Sequence, residues 1–191
     1  MTAAGWAGAS RDAPARPADT RTTMANQLEL YLIRHGAAAA GGAAFPDDAK
    51  RPLTERGVAS LRKEGRGLAR LGVSFDVILT SPFVRARQTA DILAAELPSP
   101  PPVVTTEALA PGGTFPALLD ELANHARRRR FALIGHEPGL GELAARLIGL
   151  RQPLPFKKGG VCRIDFPGPP ISPPGTLRWL LAPGLLRKLR K

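Results

Sequence analysis

Two histidines and two arginines stand where short apolar runs stop, and together they supply what phosphoryl transfer requires. The run Leu28-Glu29-Leu30-Tyr31-Leu32-Ile33 ends in Arg34-His35-Gly36. A neutral imidazole attacks phosphorus, an adjacent guanidinium neutralises phosphoryl oxygens with a planar fork of donors, and a glycine lets backbone approach a ligand closely. Val77-Ile78-Leu79 leads into Ser81-Pro82-Phe83-Val84-Arg85-Ala86, which reads as strand, turn and a helix opening at Pro82. Arg85 then falls in the first helical turn, where the helix's positive end and orphan N–H groups favour an anion that an arginine can share. Phe131-Ala132-Leu133-Ile134-Gly135 ends in His136 before a further helical pattern. Each feature alone has a plain structural reading: a strand-to-loop turn, a solvated helix arginine such as Arg87, a packed or surface histidine. Gathered at the C-terminal ends of three apolar strands they describe a ligand site, because open α/β sheets bind at that edge.

The elements that must position these groups alternate between apolar runs and helical patterns, the signature of an α/β domain. Strands are expected near 28–34, 76–80, 102–105, 131–135, 161–166 and 176–182, with helices near 54–71, 83–97, 115–127 and 139–149. Thr54 is placed to cap the first helix, with Val58, Leu61, Leu68 and Leu71 on one face. The proline-rich stretches 98–102 and 167–174 are loops, since proline neither donates to a ladder nor continues a helix; the second joins two strands as a hairpin connection. His125, beside Asn124 and Arg127, reads as a helix-terminal or surface histidine.

Four segments, Leu32-Ile33-Arg34-His35-Gly36, Arg51-Pro52-Leu53-Thr54-Glu55-Arg56-Gly57, Ser81-Pro82-Phe83-Val84-Arg85-Ala86 with Gln88-Thr89-Ala90, and Ile134-Gly135-His136-Glu137-Pro138, occur in the order of a known family. Over about residues 28 to 183 the chain resembles the histidine phosphatase, or phosphoglycerate-mutase-like, superfamily. Leu109-Ala110-Pro111-Gly112-Gly113 and the closing Trp179-Leu180-Leu181-Ala182-Pro183 look more like its SixA-type phosphohistidine phosphatases than like mutases. The resemblance implies a three-layer α/β/α sandwich with a mostly parallel central sheet, and chemistry without metal or cofactor. It makes His35 the nucleophile, Arg34 and Arg85 the phosphate-binding arginines, and His136 a donor to the phosphoryl oxygens, with Gly36 in the substrate-binding set. Preorganised cationic donors stabilise the charge spread over the equatorial oxygens of a transferring phosphoryl. His35 must be neutral at its attacking nitrogen, its other ring N–H held by an acceptor such as a backbone carbonyl. Arg51 stands between two readings, a solvated basic loop or a contact to phosphate or partner protein.

A general acid is the unsettled part. An alkoxide leaves poorly without a proton, and the region before Leu109 offers only Glu107, whose plain reading is a surface carboxylate at a strand end. Glu137, next to His136, is a second candidate, or simply a residue at a helix start. A phosphohistidine substrate relaxes the requirement, because its P–N bond releases neutral imidazole once the ring is protonated. The expected activity is therefore hydrolysis of phosphohistidine on a signalling phosphotransfer protein through a phosphohistidine enzyme intermediate. The alternatives are a phosphatase of small sugar-phosphate-like esters using Glu107, and a catalytically weak module that binds phosphoproteins.

Composition is compatible with this expectation without selecting it. The 191 residues suit one domain with a full core, and 43% hydrophobic content argues against wholesale disorder. The net charge is +11 and the pI about 11.1. Apart from Arg127-Arg128-Arg129-Arg130 and the C-terminal tail the basic residues are dispersed, and aromatics make up only 5%. The charge therefore reads as steering toward phosphorylated or acidic partners, a phosphotransfer protein or a small phosphate ester, rather than nucleic acid. Cys162 is the single cysteine, so no intramolecular disulfide forms and a reducing, cytoplasmic setting is expected, with a monomeric chain. No apolar stretch reaches the roughly 18 residues that span a bilayer. Residues 1–27 read as a disordered extension with Met24 an alternative start, ahead of a phosphatase domain over 28–191. A transit peptide is the other reading of that leader, weakened by Asp12 and Asp19.

Overall fold

Strand β1 (Leu28–Arg34) alternates its side chains between two cores, as the pleat of a strand covered on both faces requires. Leu28, Leu30 and Leu32 enter one apolar cluster, Tyr31 and Ile33 the other. The computed structural model describes residues 27–189. The extension and Met24 thus lie outside the described residues except for Gln27, whose side-chain amide donates to Asp165 at 2.6 Å.

Five further strands complete one mixed sheet: β2 (Val77–Thr80), β3 (Val103–Thr105), β4 (Arg130–Gly135), β5 (Val161–Phe166) and β6 (Thr176–Leu181). Their order is β3-β2-β4-β1-β5-β6. The first four run parallel, while β5 and β6 are antiparallel additions, joined by the proline-rich hairpin connection. The helices are α1 (Glu55–Arg70), α2 (Val84–Glu96), α3 (Phe115–Asn124), α4 (Gly139–Ile148) and α5 (Pro183–Lys188). Leu61 and Leu68 of α1, Ala86, Ala90 and Leu93 of α2 and Leu186 of α5 cover one face. Leu118 and Leu122 of α3 with Leu140, Ala144 and Leu147 of α4 cover the other. The result is the expected three-layer α/β/α sandwich.

This winding opens a crevice. After β1 the chain turns toward the α1 face, and after its neighbour β4 it turns toward the α4 face. The two loops part, as they do at the switch points where doubly wound sheets bind ligands. His35 follows β1 and His136 follows β4, so the crevice lies between them.

The differences from expectation are local. Thr54 caps α1 as predicted, its hydroxyl accepting from Gly57 N, but Leu71 lies past the helix end and is 45% exposed. Helix α2 begins at Val84 rather than at Pro82, with Phe83 as its cap residue, and Arg85 still falls in the first turn. Helix α3 stops at Asn124, short of 127, because Leu122 is its last buried anchor and Arg127 and Arg128 are exposed. His125 is its C-cap and pairs with Glu121 at 3.2 Å. Helix α5 and the short 3₁₀ turns Asp48–Lys50 and Glu107–Leu109 were not expected. Among the described residues no helix is long and apolar enough to cross a membrane.

Candidate active site

The imidazole of His35 lies at the floor of the crevice, 7% exposed. Its Nδ1 is 2.7 Å from the carbonyl oxygen of Gly36, a contact that a ring N–H makes and a bare ring nitrogen cannot. The proton is therefore on Nδ1 and the lone pair on Nε2. Arg85, 4% exposed, directs Nε toward that Nε2 at 3.3 Å. Burial, then the positive charges of Arg85, Arg34 and Lys158, outweigh the Gly36 hydrogen bond and lower the His35 pKa to about 4. The ring is neutral at neutral pH.

Gly36 itself has a different role from the one its position suggested. It does not line the pocket. A Cβ there would come within 2.5 Å of Leu61 Cδ1 and 3.2 Å of Leu53 Cδ2, so packing of the β1–α1 loop on the helix, not approach of a ligand, demands glycine. Its N–H donates to Thr89 Oγ1 at 3.1 Å and Thr89 donates to Arg85 O at 2.7 Å, which couples the two halves of the site.

His136, also 7% exposed, stacks at a tilt against His35 with ring centroids 4.9 Å apart. Its Nε2 lies 2.8 Å from Ser81 Oγ, and Nδ1 is buried without a partner among the described residues. Burial, followed by the charges of His35 and Arg85, lowers its pKa to about 3. Arg34 donates through Nη1 to the carbonyl of Phe156 at 2.6 Å, while its Nε is a second buried, unpartnered donor. The lead-in to β5 brings a further cation: Lys158 lines the same pocket. That lead-in is pinned where Gly159 N donates to Arg34 O at 3.1 Å and His35 O at 3.2 Å. Gly159 has φ +79°, a left-handed backbone that glycine takes without strain.

The pocket, about 350 Å³, gathers Arg34, Arg51, Arg85 and Lys158 with His35 and His136. Two carboxylates share it. Asp48 receives Arg85 on both its carbonyl oxygen, 2.7 Å from Nη1, and its Oδ2, 2.8 Å from Nη2. Its Oδ1 takes Arg51 Nε at 2.6 Å. Slight burial works against ionisation, but the hydrogen bonds from the two arginines prevail and hold this carboxyl below the usual carboxylate range. Glu137 is committed elsewhere: Oε1 accepts from Phe156 N at 2.7 Å and Oε2 from Gly141 N at 3.1 Å, so it ties the start of α4 to the Phe156 loop. Arg51 lines the pocket through its ties to Asp48 and to Ala39 O. Glu107 is exposed in its 3₁₀ turn and is not among the pocket-lining residues. Its position does not suit it to protonate a leaving group there.

The pocket thus brings together His35, Arg34, Arg85, His136 and Arg51, all singled out by the sequence, with Asp48 and Lys158, which were not, and Ser81 touches His136. Ser81 was visible within its motif, and Asp48 stands three residues before Arg51. Lys158 had only the neighbouring Gly159-Gly160 pair as a signal. Among the described residues no group of three or more His, Cys, Asp and Glu side chains is arranged to hold a metal ion.

Comparison with known proteins finds relatives among phosphatases. The model of the histidine phosphatase superfamily (branch 1) matches residues 30–111. An uncharacterized protein of Picosynechococcus sp. is 44% identical over 119 residues, spanning 61% of this chain and 71% of its own length. The phosphohistidine phosphatase SixA of Escherichia coli is 29% identical over 159 residues, 82% of this chain and 94% of that protein. A solved structure of the protein histidine phosphatase SixA complexed with tungstate has a TM-score of 0.71 at 26% identity, covering 83% of this chain and 99% of that one.

Proposed function

Because the chain belongs to the histidine phosphatase superfamily and is a phosphatase, we propose that it hydrolyses phosphohistidine on a phosphotransfer protein, using His35 as a covalent nucleophile without a metal. The observation that carries the reading is the fixed tautomer of His35, with Nδ1–H on the Gly36 carbonyl and the Nε2 lone pair turned toward Arg85. Attack by Nε2 forms the N–P bond while the substrate's P–N bond breaks and its electron pair stays on the departing ring. His35 keeps its Nδ1 proton throughout, so its phosphorylated form is a cationic phosphoimidazolium. Water then cleaves that bond with neutral His35 as leaving group, and no proton has to reach or leave the His35 ring.

Arg34, Arg85 and Lys158 neutralise the phosphoryl oxygens, and His136 donates through Nδ1, the nitrogen without a partner. For Nδ1 to carry the proton, Nε2 must accept from the Ser81 hydroxyl, which lies 2.8 Å away. The preference for a P–N over a P–O bond rests on the pocket's carboxylates. Asp48 is held ionised, Glu137 is bound to two backbone N–H groups, and Glu107 is outside. None is placed to give a proton to an alkoxide, whereas a protonated imidazole needs none at the moment of departure.

The test is phosphate release from a histidine-phosphorylated phosphotransfer domain beside a panel of sugar and aryl phosphates, with wild type and His35→Ala. Fast, His35-dependent loss from the protein with feeble ester turnover is expected. Reversed preference would move the enzyme to small-molecule esters, and binding without turnover would leave a phosphoprotein-docking module.

A further inference from the structure

Asp48 is an anomaly in a pocket built for a dianion. A carboxylate beside a phosphate site costs affinity through like-charge repulsion, yet two arginines hold this one in place. Arg85 grips its carbonyl and Oδ2, and Arg51 grips Oδ1. Through Arg85 the carboxylate stands one guanidinium away from the attacking Nε2 of His35. Its side chain is still 56% exposed, so a substrate group entering from the mouth meets free lone pairs. The fold does not need it in the core: the 3₁₀ turn that carries it contains no buried residue.

The chemistry of a P–N bond gives such a group a use. In a neutral phosphoimidazole the distal ring nitrogen is bare, and cleavage would expel an imidazolide anion. Once that nitrogen is protonated by solvent, the P–N pair collapses onto the ring and neutral imidazole departs, keeping the distal N–H. A fixed anion that accepts a hydrogen bond from the distal N–H favours the protonated, labile form. An ester offers no such proton, and its departing oxygen gains negative charge that the same carboxylate opposes.

We propose that Asp48 selects a phosphoramidate over a phosphate ester by accepting a hydrogen bond from the distal ring N–H of the substrate's phosphoimidazolium, an inference that rests on the phosphohistidine reading above. Arg51 acts through it, orienting the carboxylate. The outcome is specificity by difference: the same charge that assists one leaving group impedes the other.

The experiment measures kcat/KM for free phosphohistidine and for 4-nitrophenyl phosphate with wild type, Asp48→Asn and Asp48→Ala. The asparagine amide oxygen can still take Arg85 Nη2, so the charge is removed with the guanidinium kept in place. Competitive inhibition by inorganic phosphate, read on the ester, reports whether the anion pocket survives. Phosphohistidine turnover should drop at least tenfold in both variants, with ester turnover unchanged or faster and phosphate inhibition unchanged or tighter. Equal losses on both substrates with weakened phosphate inhibition would make Asp48 a mere prop for Arg85 and overturn the proposal, as would unimpaired phosphohistidine turnover. A wild-type enzyme that hydrolyses the ester but leaves phosphohistidine intact would instead overturn the functional reading beneath it.

Discussion

Replacing Arg85 with methionine tests the electrostatic core of the pocket, because one guanidinium lies against His35 and helps to lower the proton affinity of both histidines. Methionine has a similar reach and fills the buried space without charge. Losing the guanidinium removes a preorganised donor 3.3 Å from His35 Nε2, and on the proposed mechanism removing such a donor costs on the order of 10²–10³ in kcat, about 3 kcal/mol of transition-state stabilisation. The same charge is among the causes that lower His35 to about 4 and His136 to about 3. Both pKa values should therefore rise in Arg85→Met while staying below 6.5, because burial, the largest cause for each, is untouched. With only three histidines in the chain, NMR titration of the ring resonances follows His35 and His136 separately. A rate loss under tenfold, a wild-type His35 titrating near 6.5, or histidine pKa values that ignore the substitution would refute this account of the pocket.

Two further outcomes concern the scaffold. Burial raises the Glu64 carboxyl from 4.5 to about 7 against the attraction of Arg187. The native state then holds this proton more tightly than the unfolded chain, and the stability it contributes is full below about pH 4.5 and lost as pH rises through 7. At about 1.4 kcal/mol per tenfold change in proton affinity the loss is about 3 kcal/mol. In urea unfolding, Glu64→Gln should gain on wild type between pH 5 and pH 8, and a difference that does not change with pH would contradict the reasoning. Gly36→Ala forces a methyl against Leu61. A cost of about 1–3 kcal/mol in the same assay is expected, and a neutral result would mean that the β1–α1 loop yields freely.

The central site was readable because its chemistry sits at the ends of strands whose apolar runs announce them. Arg34-His35, Arg85 and His136 each follow a run buried on both faces, and a parallel sheet brings such ends to one edge whatever the loops do. Asp48 and Lys158 were not readable because they arrive on loops. Asp48 reaches the pocket only because the segment after β1 folds back, with Leu53 N held by Gln88 Oε1 at 2.8 Å and Thr54 N by Ala37 O at 2.9 Å. Lys158 depends on β5 running antiparallel, which places its entrance, rather than its exit, beside His35. Neither long-range pairing leaves a local periodicity. Gly36 shows the opposite failure: the residue type was informative, but its cause was the Leu61 side chain, 25 positions along the chain, and not a ligand. Glu107 had the right residue type in a region that the fold leaves at the surface.

The hold of the Phe156 carbonyl on Arg34, 122 residues apart in the chain, also bears on the order in which the enzyme is made. Translation adds Arg34, His35, Arg85 and His136 to the chain before it adds the segment that anchors Arg34 and supplies Lys158. Strand β1 meanwhile waits for both of its neighbours, β4 and β5. These four side chains are thus translated first and assembled late, and the chain acquires the complete pocket only when the antiparallel part of the sheet closes onto β1.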